Sequence, residues 1–104
     1  MSPCRAIISP TMFDIHRAAA WWAGEGSVRG QDGHLSVSIA QKETAVLKWL
    51  LERFGGTVSN NRPDVAYWNA HGARARGFLM TIYSCIVESP RRQQQIYNAL
   101  GITV

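Results

Sequence analysis

Leu35-Ser36-Val37-Ser38-Ile39 alternates strictly between apolar and polar residues. Successive side chains of a β-strand point to opposite faces, so this run is a strand with a dry face of Leu35, Val37 and Ile39. His34, Ser36 and Ser38 then form its wet face. A sheet built on such a strand is packed on one side only, and the helices of the chain must gather on that side. A chain of 104 residues can bury one modest core. The strand therefore restricts it to a single two-layer α+β domain, 1–104, with 1–10 as an N-terminal tail.

Helical periodicity flanks the strand. Thr11 and Asp14 make a near capping box after Pro10, which predicts a helix to about Ala23, stopped by Gly24 and Gly26. Ile15, Ala18, Ala19 and Trp22 share one face of it, and His16, Ala19, Ala20 and Ala23 a second face of mostly small residues. Ser27-Val28-Arg29 pairs with the alternating strand through a turn at Gly30-Gln31-Asp32-Gly33. Val46, Leu47, Leu50, Leu51 and Phe54 predict a second helix over 43–54, ended by Gly55-Gly56. A second hairpin follows: Thr57-Val58-Ser59, a turn at Asn60-Asn61-Arg62-Pro63-Asp64, then a strand over 65–69. A third helix after Gly72 carries Phe78, Leu79, Ile82 and Ile86. Ser89-Pro90 opens a last helix from Arg91 to about Leu100. The order α-β-β-α-β-β-α-α predicts one four-stranded antiparallel sheet with helices on one face.

The wet face of that sheet would hold Ser27, Arg29, His34, Ser36, Ser38 and Ser59. Such a face is either a solvated surface or one shaped to enter a major groove. Charge leans toward the second. The net charge is +4, and nine of the eleven cations are arginine, the planar donor suited to phosphate and guanine. Cys4 and Cys85 are far apart, and the three histidines show no zinc spacing with them. The longest apolar run, Ala18 to Ala23, is far short of the ~20 residues that span a bilayer. No membrane partner is expected. Residues 1–10 lack the apolar core of a signal peptide, which points to a cytoplasmic address.

The segment Ala18-Ala19-Ala20-Trp21-Trp22-Ala23-Gly24-Glu25-Gly26-Ser27 carries the chemistry. It follows a helix rather than a strand, so it is not a dinucleotide fingerprint. It sets a carboxylate at a helix C-terminus, where the dipole disfavours an anion and a bound cation would reverse the sign. The alternative is an exposed glutamate in a helix-to-strand turn. The segment resembles the LAGLIDADG motif of homing endonucleases. Val37-Ser38-Ile39-Ala40-Gln41-Lys42 resembles that family's strand leading to an active-site glutamine. Trp49 to Gly56 resembles its second helix and turn, and Arg91-Arg92-Gln93-Gln94-Gln95-Ile96 the basic start of its last helix. Together the pieces span about Ile15 to Leu100.

The resemblance implies the LAGLIDADG-type α-β-β-α-β-β-α fold and a Mg2+- (or Mn2+-) dependent endonuclease acting on double-stranded DNA. One motif per chain implies a homodimer whose motif helices meet through Ala19, Ala20 and Ala23. Glu25, with Gly24, would hold the metal, and Gln41 would position the attacking water. Arg92, or Arg91 if the register slips by one, would be the basic residue beside the metal. Ser27, Arg29, Gln31, His34, Ser36, Ser38, Ser59, Asn61, Arg62 and Arg91 would contact DNA at a near-palindromic site. An organellar stroma or matrix joins the cytoplasm as an address if the chain is organelle-encoded. Ala20 stands where the family has its first motif glycine, and Ala23 where it has its first motif acid. Two other readings stand beside this one: a DNA-binding protein or intron maturase of the same fold that does not cut, and a small α/β protein-interaction domain.

Overall fold

Thr11 starts the first helix in the manner its sequence demands. Its Oγ1 accepts from the Asp14 N–H at 3.1 Å, and the Asp14 carboxylate accepts from the Thr11 N–H at 3.0 Å. This reciprocal pair satisfies two of the backbone donors that a helix start leaves open. The computed structural model describes residues 9–31, 34–62 and 64–102, with side chains for all of these except Gln31, Asn61, Arg62 and Ile102. Within them the order is α1 (Met12–Glu25), β1 (Gly26–Gln31), β2 (His34–Gln41), α2 (Thr44–Phe54), β3 (Thr57–Arg62), β4 (Val65–His71), α3 (Gly72–Ile82), a 3-10 turn (Tyr83–Cys85) and α4 (Pro90–Ile102).

All four strands form one antiparallel sheet in the order β1-β2-β4-β3. The alternation of β2 is realised as expected. Leu35, Val37 and Ile39 are buried, together with Ala66, Trp68 and Ala70 of β4, and the four α-helices pack over that face. Trp68 is fully buried and its Nε1 donates to the Gly55 carbonyl at 2.8 Å, tying β4 to the end of α2. Gly55 ends α2 with a φ of 72°, a left-handed conformation that glycine adopts without a Cβ penalty. Edge-to-face rings continue from Trp49 through Phe54 to Phe78, which lies against Trp68. This aromatic chain joins α2, α3 and β4 into one core.

Four expectations shift. Gly30 and Gln31, expected in the first turn, are the last residues of β1 and pair with Leu35 and His34. Asn60 and Asn61 are strand residues, because β3 continues to Arg62, which pairs with Val65 after a register irregularity past Ser59. Turn-forming residues are here absorbed by a bulge, which accepts an extra residue while the strand goes on. β4 reaches His71, two residues beyond the predicted end. Finally, α3 stops at Ile82, and Ile86 is buried from the segment after the 3-10 turn rather than from the helix. Asp32 and Gly33 of the first turn, Pro63 of the second, and Cys4 lie outside the described residues.

Candidate nucleic-acid interface

The sheet turns its second face away from every helix. Cross-strand pairing sets Ser27, Ser38, Asn69 and Thr57 in one row across β1, β2, β4 and β3. At a strand spacing of ~4.8 Å this row is about 14 Å wide. Arg29, Ser36 and His71 make a second row across three strands, and Ala40, Tyr67 and Ser59 a third. Ser27 and Ser38 share a hydrogen bond of 2.8 Å between their hydroxyls, and Asn69 Nδ2 donates to Ser59 Oγ at 3.2 Å. Hydroxyls, amides, a guanidinium and imidazoles cover this face, whereas the core among the described residues buries no polar or charged side chain. Such a set can both donate to and accept from a ligand laid across the strands.

Of the residues expected on the wet face, Ser27, Arg29, Ser36, Ser38 and Ser59 fall in these rows, and His34 begins β2 two residues before Ser36. Gln31, Asn61 and Arg62 lie on strands, with their side chains outside the described set. Thr57, Tyr67, Asn69 and His71 were missed. In Val65-Ala66-Tyr67-Trp68-Asn69-Ala70-His71 both alternating sets contain apolar residues, so polarity could not tell the faces apart. The spacing of two between Asn69 and His71 was the available signal.

Glu25 is the last residue of α1 and is exposed. It enters no ion pair or side-chain hydrogen bond among the described residues. With Arg17, Ala20, Trp21 and Gly24 it lines an open cleft of about 340 Å³. Since Gly26 pairs with Ile39, the register carries Glu25 to the same end of the sheet as Gln41, on the neighbouring strand. The Gln41 carboxamide oxygen accepts from the Lys42 N–H at 2.9 Å. The corner between α1 and β1 is tightly built. The Trp22 indole is fully buried and its Nε1 donates to the Ser27 carbonyl at 3.3 Å. A Cβ at residue 26 would collide with that indole, so glycine is required there.

Arg92 reaches this corner from α4. Its Nε donates to the Ala23 carbonyl at 3.2 Å and its Nη2 to the Gly26 carbonyl at 2.9 Å. Arg91, in the same turn, is exposed.

The three alanines expected at a helix–helix contact differ in exposure. Ala19 is fully buried in the chain's own core with Ala18 and Trp22. It exposes no surface to another molecule. Ala23 is half-buried against the core, and Ala20 alone of the three is exposed. The exposed seam of α1 is instead Phe13, Arg17, Ala20 and Gly24, spaced 4, 3 and 4 residues apart, the repeat of one helix face. Phe13 is 75% exposed, which is unusual for a ring of that size.

The chain matches no protein-family model and no curated protein. Solved structures do resemble it. The homing endonuclease I-CvuI in complex with its target, in the presence of calcium, superposes with a TM-score of 0.69 at 14% sequence identity, over 82% of this chain and 62% of that one. I-CvuI on the I-CreI target with magnesium and uncleaved DNA gives 0.69 at 13% identity, with the same coverage of 82% and 62%. The chain has the LAGLIDADG homing endonuclease fold. It spans less than two thirds of the length of these LAGLIDADG neighbours. No helix among the described residues is long and apolar enough to cross a membrane.

Proposed function

We propose that the chain binds double-stranded DNA across the open sheet face and, as a homodimer joined along α1, hydrolyses its phosphodiester bonds with Mg2+. The observation that carries this is the position of Glu25: an exposed carboxylate without a partner among the described residues, at the helix end bordering a polar sheet face on which none of the described helices packs.

The residues present suit a hard cation. Mg2+ takes oxygen ligands, keeps several waters and is held by one or two carboxylates. Glu25 supplies one carboxylate. Helix ends leave carbonyls without intrahelical donors; the Trp22 carbonyl takes the Gly26 N–H, the Ala23 carbonyl takes Arg92, and the Gly24 carbonyl comes next. A second copy would bring a second Glu25. The chemistry that such an ion supplies when bound is charge neutralisation at phosphate and activation of water. Within the chain, Glu25 holds the site, and the Gln41 carboxamide, with its Nε2 still available, orients a water at the same sheet end. Arg29, Ser27, Ser38, Asn69 and His71 hold the duplex by phosphate and base-edge contacts.

The exposed seam of α1 supports the homodimer reading. Ala20 and Gly24 let two helix backbones approach closely, since small side chains set the interaxial distance. Phe13 at the far end of the seam would be covered by the partner. Light scattering is expected to give twice the mass of 11.6 kDa for the wild-type chain, and the monomer mass for Ala20→Leu at the same concentration. An unchanged dimer in Ala20→Leu would remove α1 from the interface. Binding to duplex DNA is expected to weaken steeply with salt, because each neutralised phosphate releases a counterion.

One observation favours a second reading, a DNA-binding protein of this fold that does not cut. Among the residues lining its cleft Glu25 is the one carboxylate, and it shares that cleft with the cation Arg17. Cleavage by the wild-type chain separates the two.

A further inference from the structure

Arg92 belongs to α4, yet it spends its guanidinium on α1. Nε and Nη2 grip the carbonyls of Ala23 and Gly26, at 3.2 and 2.9 Å. These two residues bracket Gly24 and Glu25 in sequence. Nη1 donates to Gln95 Oε1 at 3.0 Å, and the guanidinium carbon lies 4.8 Å from the centre of the Trp22 ring. Each guanidinium nitrogen thus has a protein acceptor and the group is part-buried, while its neighbour Arg91 is exposed.

Two physical needs meet at this grip. The last carbonyls of a helix carry the negative end of its dipole, which repels a carboxylate placed there. A fixed cation on those carbonyls offsets that repulsion where Glu25 sits. The segment Gly24-Glu25-Gly26 also has two glycines, the residues with the most backbone freedom to lose. An added Cβ at Gly24 would meet no atom within contact distance, so packing at that position does little to fix the backbone. A planar fork reaching two carbonyls fixes it, and a lysine, with one rotating ammonium, would not.

We propose that Arg92 is a positioning residue for Glu25. It clamps the α1–β1 corner, sets the direction of the Glu25 carboxylate and makes no contact with phosphate. The direct role beside the metal expected from the sequence is thereby replaced, and Arg91 is left as the cation of the pair open to DNA. The proposal rests on the nuclease reading above and deepens it.

The test uses Arg92→Lys and Arg92→Gln in the full chain, with Thr11→Ala as a control that weakens α1 at its other end. All are measured well below their melting temperatures. Amide hydrogen exchange at Gly24, Glu25 and Gly26 is expected to quicken about tenfold or more in Arg92→Lys relative to Trp68, and to stay near wild type in Thr11→Ala. Arg92→Lys is expected to lower kcat for DNA cleavage about tenfold or more while the DNA Kd holds within about threefold. Arg92→Gln is expected to keep the wild-type salt slope of DNA binding. A slope reduced by about one would mark a lost phosphate contact and overturn the proposal. Wild-type exchange at the three amides in Arg92→Lys would overturn it equally. If the wild-type chain cuts no DNA, the nuclease reading fails, and the exchange data still decide whether the clamp exists. Should neither Arg92 variant fold, Gln95→Ala removes only the brace on the guanidinium; faster exchange at the same amides supports the clamp, and unchanged exchange overturns it.

Discussion

Trp68→Ala is expected to remove a large share of the chain's folding stability. The indole is fully buried, packs on Phe78 and donates to the Gly55 carbonyl at 2.8 Å. Truncating a buried tryptophan to alanine costs about 3–5 kcal/mol. Domains of this size carry only ~5–15 kcal/mol in total. Each kcal/mol lowers the melting temperature of a domain near 100 residues by roughly 4–8 °C, so a fall on the order of 15–30 °C is expected by circular dichroism. Trp68→Phe keeps most of the volume but strips the Gly55 carbonyl of its donor, and is expected to cost about 1–3 kcal/mol. Equal melting temperatures for Trp68→Phe and the wild type would mean that this hydrogen bond contributes nothing net to stability.

Glu25→Gln is expected to have the largest effect on activity. The substitution keeps the shape and removes the charge at an exposed position that has no partner among the described residues, so little folding stability is expected to be lost. Groups that merely orient metal ligands cost 10–100-fold when changed, so loss of the ligand itself is expected to lower cleavage by roughly 100-fold or more. Affinity for DNA measured in EDTA, without divalent ion, is expected to stay near wild type or rise slightly, since a negative charge has left a surface facing phosphates. Cleavage at an undiminished rate would show that Glu25 is not the catalytic acid.

Much of this architecture was legible because its signals are local. Strict alternation over Leu35 to Ile39 fixed the packed face of β2, and the Thr11–Asp14 pair marked the start of α1 to the residue. Glycines at 55 and 56 marked the end of α2. The failures share one cause: they depend on what packs against a residue, which spacing alone does not state. Ala19 and Ala20 are identical neighbours on one helix, yet the first is fully buried while the second is exposed. β4 is apolar or aromatic on both alternating sets, so its contribution to the open face, Tyr67, Asn69 and His71, appears only once strands are paired. Asn60 and Asn61 favour turns by their own chemistry, and a bulge next to β4 overrides that preference. Arg92 was picked out as a cation near the site, but its engagement of the Ala23 and Gly26 carbonyls joins residues 69 and 66 positions apart, beyond the reach of any local pattern.

The most direct measurement is to incubate the chain with a randomised duplex DNA library in Mg2+ and sequence the ends it produces. The expected result is paired breaks related by a twofold axis, flanked by half-sites that mirror each other, because two Glu25 carboxylates from symmetric copies would act on opposite strands. Breaks without that symmetry, or a library returned uncut with none of it retained by the protein, would contradict the account.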